Sequence, residues 1–132
     1  MIHIAYIESD NSSLFTFEQI AVVLNARGIE NQFHSYTTPT QALEHLPLQR
    51  PDITFIDLRS NNGHKPASLD LVRMLRQHPL LRGMIVIGMA DYAMPADRSA
   101  ALAAGCHEFL PKPARYQTIE ETISQHLLQP AH

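Results

Sequence analysis

The sequence predicts an α/β fold, a three-layer sandwich in which helices cover both faces of a parallel sheet. Two observations predict it. Short apolar runs alternate five times with longer amphipathic stretches along the 132 residues, and most connections between them are short. Because right-handed crossovers through helices join parallel strands of one sheet, this alternation favours a five-stranded parallel sheet. The length suits one ordinary domain, so residues 1–132 are expected to form it alone.

The expected strands are the five apolar runs, which are short and rich in β-branched or aromatic residues. Carboxyl ends of parallel strands meet at one edge of a sheet, where ligands of such folds bind. The residues that directly follow each run are therefore the candidates for function. The runs cover residues 3–7, 32–36, 53–56, 84–88 and 108–110.

The first helix is expected to begin at Ser12 or Ser13 and to end at Arg27. Gly28 supplies the stop signal, since glycine is common directly after the last helical residue. Asp10, ahead of the helix, is a candidate N-cap. Apolar residues at i, i+3, i+4 and i+7 predict the buried face, which comprises Phe17, Ile20, Ala21 and Leu24.

The second helix has a well-defined start. Thr38 is the expected N-cap, Pro39 occupies the first helical position, and Gln41 completes a capping-box pattern. The helix is expected to end near Leu46, because Pro47 lacks the N–H that a further turn requires.

The remaining helices are marked by apolar stripes and by breakers. The third is expected to end before Pro79, the fourth to cover residues 95–104 before Gly105, and the last to stop at Pro130. The polar segment 58–67 is long for a strand-to-helix loop, which favours a mobile or functional role. The expected stripes are Leu69, Val72, Met74 and Leu75 in the third helix and Ile119, Ile123 and Leu127 in the last.

Composition argues against several classes of function. The formal net charge is −3 and no basic stripe is visible, so nucleic acid is not an expected direct partner. A single thiol, Cys106, excludes an internal disulfide and is expected to be a small buried side chain in a reducing compartment. The first ten residues resemble neither a signal peptide nor a membrane span, so a cytoplasmic location is expected. Neither GxGxxG nor a Walker A pattern is present.

The residues after the strands suggest phosphoryl chemistry. Glu8 follows the first run, Asp57 the third and Lys112 the fifth. Taken singly, an acid after a strand often caps a turn, and a lysine in a loop is ordinary. Together, however, two carboxylates favour a divalent cation such as Mg²⁺, and a lysine beside them favours a bound anion. In such a site Asp57 could attack phosphorus while the cations neutralise the phosphoryl oxygens.

Four segments in this order resemble the receiver domain of bacterial two-component response regulators over essentially the whole chain. They are IAYIESD, PDITFIDL, MIVIGMA and ALAAGCHEFLPKPA. The resemblance implies a flavodoxin-like (βα)5 fold, CheY-like, with the strand order 2-1-3-4-5. It also implies phosphorelay signalling, in which the domain is not a turnover enzyme and acts on an effector protein or an output domain.

The resemblance assigns roles to individual residues. It implies that Asp57 accepts a phosphoryl group from a phosphohistidine on a sensor histidine kinase or a phosphotransfer protein. It implies that Lys112 contacts that group and that the Lys112–Pro113 peptide is cis. Mg²⁺ would be held by Glu8, Asp57 and the backbone carbonyl of Arg59. Phe109 falls on the position where such domains carry an aromatic reporter. Met89 and Phe109 are therefore the two positions expected to respond to phosphorylation, the switch positions.

Three positions depart from the family pattern. Ser9 replaces the second acid of the usual pair, which predicts a weakened Mg²⁺ site. Met89 replaces a Thr or Ser whose hydroxyl contacts the phosphoryl group, and a thioether has no donor to offer. Asn61 replaces a proline. These departures leave an alternative open, a degenerate pseudo-receiver that binds partner proteins without phosphorylation.

Overall fold

The computed structural model describes residues 1–58, 67–91 and 94–128, in which strands and helices alternate. A 3₁₀ turn, Pro79–Leu81, precedes the fourth strand, and a π turn, Ser124–Leu128, extends the last helix. In the described part of the chain, no helix is long and apolar enough to cross a membrane. The strands are β1 Ile2–Ile7, β2 Asn31–Tyr36, β3 Ile53–Asp57, β4 Ile85–Ala90 and β5 Glu108–Pro111; the helices are α1 Asn11–Ala26, α2 Pro39–Gln49, α3 Ser68–Gln77, α4 Pro95–Ala104 and α5 Tyr116–Ile123.

All five strands pair in parallel, in the order β2-β1-β3-β4-β5. The predicted fold class and strand order are therefore confirmed. The chain leaves β1 toward β2 on one side and reaches β3 on the other side, so the strand order reverses at the carboxyl end of β1. Crevices at such a reversal are where α/β sheets bind ligands.

The sheet separates two apolar cores, because successive side chains of a strand point to opposite faces. Ile4 and Tyr6 of β1 face α1 and α5, whereas Ala5 and Ile7 face α2, α3 and α4. Phe17 is central to the first core, since its ring lies 4.4 Å from that of Tyr6 and 4.9 Å from that of Phe55, centroid to centroid. This packing of aromatic rings fixes the positions of side chains near the carboxyl end of β1.

Two helix predictions were wrong in detail. Helix α2 does not end at Leu46 but continues through Pro47 to Gln49. Pro47 lies in the last turn, so it forfeits only one helical hydrogen bond, and the backbone N–H of Arg50 still donates to Leu46 at 2.7 Å. In α3, Met74 is 45% exposed, and Leu71 occupies the buried face instead.

The two candidate N-caps are confirmed, although α1 begins at Asn11 rather than at Ser12 or Ser13. The Asp10 carboxylate accepts a hydrogen bond from the Ser13 backbone N–H at 2.8 Å, which makes Asp10 the N-cap of α1. Thr38 likewise caps α2 by accepting from the Gln41 N–H. The Gln41 side chain, however, accepts from the backbone of Thr37 rather than Thr38, so the reciprocal bond lies one residue earlier.

His107, which directly precedes β5, should make the stability of the protein depend on pH. The Val86 backbone N–H donates to Nδ1 of His107 at 3.0 Å, an acceptor that protonation removes. Partial burial, together with the charges of Arg76 and His126, lowers the pKa of His107 below its ordinary value of 6.5. The unfolded chain therefore takes up the proton first, and the free energy of unfolding should fall as the pH drops below about 6.5.

Urea unfolding between pH 7.5 and 5.5 measures this fall. We expect it to be under about 1 kcal/mol, because His107 is only partly buried and solvent screens its charge. His107→Asn keeps an acceptor near the position of Nδ1 and should reduce the slope. Part of the slope should remain, since partial burial also lowers the pKa of His34. An unchanged slope in the variant contradicts the assignment to His107.

Candidate functional site

The carboxyl ends of three strands bring Glu8, Asp57 and Lys112 together. Glu8 follows the last residue of β1, Asp57 is the last residue of β3, and Lys112 follows β5. Strands β1 and β3 are neighbours, but β4 separates β3 from β5. Lys112 therefore reaches across the end of β4, and its backbone N–H is fixed by a 2.9 Å hydrogen bond to the carbonyl of Ala90.

The Lys112 ammonium contacts both carboxylates. Its Nζ donates to Oε1 of Glu8 in a short hydrogen bond and lies 3.5 Å from Oδ1 of Asp57. The side chains of Lys112 and Asp57 are each 6% exposed, and that of Glu8 is fully buried. Two buried acids thus share one buried cation. Their separation from bulk water strengthens each of these interactions.

Opposing effects act on the pKa of Glu8, and those that favour the charged form prevail. Burial alone raises this pKa. Hydrogen bonds with Lys112 and Asp57, the positive charge of Lys112 and the backbone N–H of Asp10 together hold the pKa below its ordinary value of 4.5. Glu8 is consequently an anion at neutral pH.

Tyr6 belongs to this cluster, although the sequence analysis did not identify it. Its hydroxyl donates to Oε1 of Glu8 at 3.0 Å, and both residues are buried. The available signal in the sequence is that Tyr6 and Glu8 are two residues apart, which places them on the same face of β1. Tyrosine in a strand is ordinary core composition, so the spacing alone did not distinguish it.

Met89 fills the end of β4 beside Asp57. The two residues are paired in register between β3 and β4, and Met89 is 1% exposed. A cavity of about 170 Å³ adjoins it between α1 and the segment after β5, and Phe17, Lys112 and Pro113 are among its lining residues. The side chain next to the candidate nucleophile is therefore an apolar group with space on one side.

The donor set near Asp57 fits a hard cation with few protein ligands. Glu8 and Asp57 supply two carboxylates, and Mg²⁺ is commonly held by one or two carboxylates with water completing its shell. Ser9 is exposed and supplies no carboxylate. Among residues 1–58, 67–91 and 94–128, no group of three or more His, Cys, Asp or Glu side chains is arranged to hold a metal ion.

Phe109 does not join this cluster, and two further predicted positions have no structural account. Arg59 and Asn61 fall outside the described residues, so the predicted carbonyl ligand has no structural account. Phe109 is buried at 5% exposure among the side chains facing α4, whereas Met89 belongs to the core facing α1 and α5. The two predicted switch positions thus lie on opposite faces of the sheet. The Lys112–Pro113 peptide is cis, as the resemblance implied.

Cys106 is a buried packing residue, as expected from its sequence context. It is 6% exposed, and burial raises the pKa of its thiol to about 11. The reactive form of a cysteine is the thiolate, which such a pKa suppresses at neutral pH. A cysteine nucleophile is therefore not supported by this environment.

A family model described as the response regulator receiver domain matches residues 10–124. The chain belongs to the response regulator receiver domain family. Receiver domains are in general signalling modules of two-component systems rather than turnover enzymes. A search of curated proteins gave no match to the chain.

Solved receiver domains share the fold at low sequence identity. The signal receiver domain of a DNA-binding response regulator from Colwellia psychrerythraea superimposes with a TM-score of 0.82 at 22% identity, covering 98% of this chain and 100% of that one. A putative response regulator from Chloroflexus aurantiacus gives 0.81 at 18% identity, with 97% and 98% covered. The receiver domain of a sensor histidine kinase from Pseudomonas aeruginosa, solved with a magnesium ion coordinated in its active-site cleft, gives 0.81 at 19% identity, with the same coverage.

Proposed function

We propose that Asp57 is the phosphoacceptor of this receiver domain and that Lys112 assists its phosphorylation. The observation that supports this most strongly is the position of the Lys112 ammonium, which contacts the carboxylates of both Glu8 and Asp57 in a buried cluster. A carboxylate at the end of a strand beside a buried cation is well placed to form an acyl phosphate.

In the proposed reaction, an oxygen of the Asp57 carboxylate forms a bond to phosphorus as the bond from phosphorus to the donor's imidazole nitrogen breaks. The imidazole leaves as the neutral ring because its other nitrogen already carries a proton when the bond to phosphorus breaks. Negative charge on the transferred group is then close to the Lys112 ammonium, which is 3.5 Å from the attacking carboxylate at the start. Positioning and charge neutralisation are the main contributions that a protein makes to phosphoryl transfer.

Mg²⁺ is the cofactor that the donor set best accommodates, and we propose a weakened site for it. Glu8 and Asp57 would hold the ion, and Ser9 in place of a second acid removes one negative charge from its surroundings. When bound, the ion would supply further neutralisation of the phosphoryl oxygens. The magnesium ion of the Pseudomonas aeruginosa receiver supports this choice of metal.

The proposed partners follow from this chemistry. A sensor histidine kinase or a phosphotransfer protein would donate the phosphoryl group, and an effector protein or an attached output domain would respond to it. We propose that residues 1–132 act as one receiver domain in the cytoplasm. The responding surface would be formed by α4, β5 and α5.

One observation favours a second candidate function, a degenerate receiver that binds partners without phosphorylation. Met89 is buried next to Asp57 and offers no hydrogen-bond donor to a phosphoryl group. The domain could then hold a single conformation irrespective of modification. The buried Lys112 and the intact carboxylate pair favour the phosphoacceptor function over this one.

Intact mass spectrometry tests the proposed function directly. The protein is incubated with Mg²⁺ and a small phosphodonor such as acetyl phosphate, and the mass of one added phosphoryl group is expected. Asp57→Asn should abolish the adduct, because an amide is not a nucleophile toward phosphorus. Asp52→Asn is the matched control, since its carboxylate accepts from the His3 backbone near the start of β3, at the opposite edge of the sheet.

The outcomes separate the two candidates. An adduct in the wild type and in Asp52→Asn, but not in Asp57→Asn, supports phosphorylation of Asp57. No adduct at any Mg²⁺ concentration rejects the proposed function in favour of the degenerate receiver. An adduct that survives Asp57→Asn shows that another residue is the acceptor.

A further inference from the structure

We propose that Tyr6 is a positioning residue for the site, because its hydroxyl holds the Glu8 carboxylate in the orientation that cation binding requires. The inference deepens the proposed function and rests on it only in assigning a divalent cation to Glu8 and Asp57. The proposed role involves no contact of Tyr6 with the cation or with the phosphoryl group. It acts through Glu8.

The contacts among Tyr6, Glu8 and Lys112 carry this inference. One oxygen of Glu8, Oε1, accepts from the Tyr6 hydroxyl at 3.0 Å and also from the Lys112 ammonium. The other oxygen, Oε2, accepts from the Asp10 backbone N–H at a longer distance of 3.3 Å. Oε1 therefore accepts two of these three hydrogen bonds, including the one from Tyr6, and they restrict the direction in which Oε2 is presented.

Tyr6 is itself held rigidly, which makes it a suitable anchor. The residue is 1% exposed, and its ring packs against the ring of Phe17 at a centroid separation of 4.4 Å. Phe17 in turn packs against Phe55 of β3, the strand that carries Asp57. The hydroxyl thus occupies a position determined by the core rather than by solvent.

A glutamate at this strand end needs such an anchor. Its side chain has one more rotatable bond than that of an aspartate, so fixing its carboxylate costs more conformational entropy. Ser9 contributes no second carboxylate, which leaves cation binding dependent on the exact placement of Glu8. Hydrogen-bond donors that orient a metal-binding carboxylate typically change metal affinity when they are removed.

A Mg²⁺ titration followed by ¹H–¹⁵N NMR tests the inference on the full chain. We expect the Mg²⁺ Kd of Tyr6→Phe to be about tenfold higher than that of the wild type. Tyr36→Phe is the matched control, because Tyr36 is also a buried sheet tyrosine, yet its hydroxyl has no hydrogen-bond partner among the residues that the structure describes. Its Kd should stay within about twofold of the wild-type value. An unchanged or tighter Kd in Tyr6→Phe overturns the inference, as does a wild type that binds no Mg²⁺.

A double-mutant cycle without metal separates positioning from packing. Tyr6→Phe should raise the unfolding equilibrium constant about tenfold in the wild type, measured by urea unfolding, but less than about twofold in a Glu8→Met background, which has no side-chain oxygen to accept from Tyr6. An equal change in both backgrounds shows that the hydroxyl does not act through Glu8 and overturns the inference. Neither measurement involves phosphorylation. If acetyl phosphate gives no adduct but the cycle gives the expected difference between backgrounds, the proposed function is rejected. The anchoring of Glu8 by Tyr6 is then still supported.

Discussion

Lys112→Met is expected to destabilise the protein by about 3 kcal/mol at neutral pH, because the variant leaves two buried carboxylates without their shared cation. The Lys112 side chain is 6% exposed and contacts both Glu8 and Asp57, so solvent cannot replace its charge readily. Methionine retains most of the apolar bulk of the lysine stem, and the loss therefore reports mainly on charge. Urea unfolding at pH 7.5 measures the effect.

Lys112→Met should also reverse the pH dependence of the contribution that Glu8 makes to stability. In the wild type the pKa of Glu8 is lowered, so its contribution to stability is present above about pH 4.5 and is lost as the pH falls through the folded-state pKa. Without Lys112, burial should prevail and raise the pKa of Glu8. Stability would then be lost as the pH rises, and the difference between variant and wild type should be larger at pH 7.5 than at pH 5.

A surface ion pair supplies the control for Lys112→Met. The guanidinium of Arg27 lies 2.7 Å from Glu120, but its side chain is 48% exposed. Arg27→Met should therefore destabilise the protein much less than Lys112→Met does, because solvent screens the exposed pair. Should Lys112→Met cost no more than Arg27→Met at pH 7.5, the view of Lys112 as the cation that holds the two acids together is wrong.

Met89→Thr is expected to strengthen the response of the site to a phosphoryl analogue. A hydroxyl beside Asp57 would donate a hydrogen bond to a bound anion, and such a bond to a charged group is worth about 1.5 kcal/mol or more. Beryllofluoride with Mg²⁺ should bind about tenfold more tightly, since about 1.4 kcal/mol corresponds to a factor of ten. NMR titration gives the affinity, and the shifts of Phe109 report whether the other face of the sheet responds.

The substitution also removes buried apolar volume, which requires a matched control. Met89 is 1% exposed, and its replacement by threonine should lower the free energy of unfolding by about 2 kcal/mol. Met84, which precedes β4 and is 4% exposed, lies at the opposite end of the strand from the site. Met84→Thr should cost at least as much free energy, because the Met84 sulfur also accepts from the buried Thr54 hydroxyl, and it should not change beryllofluoride affinity. Equal affinities in Met89→Thr and the wild type would falsify the assignment of position 89 as the missing phosphoryl contact.

Much of the fold was predictable because the signals are local. Thr38 and Pro39 mark the start of α2, and the fourth helix was predicted at its observed bounds, Pro95–Ala104, because a proline and Gly105 delimit it. Met74 and Pro47 were misassigned for a common reason. The spacing of apolar residues along a helix does not show how wide its buried face is, so Met74 could not be told from a buried residue. A proline in the last turn costs too little free energy to end a helix that is stabilised by packing.

The sequence by itself determined the alternation of strands and helices, the parallel sheet, and the location of Glu8, Asp57 and Lys112 at strand ends. These properties depend on residue types within a few positions of one another. Only the tertiary structure decided that Lys112 reaches over β4 to both carboxylates and that Tyr6 donates to Glu8. Hydrogen bonds of this kind join side chains as far as 104 residues apart in the chain, and their geometry depends on strand register and on core packing across the sheet.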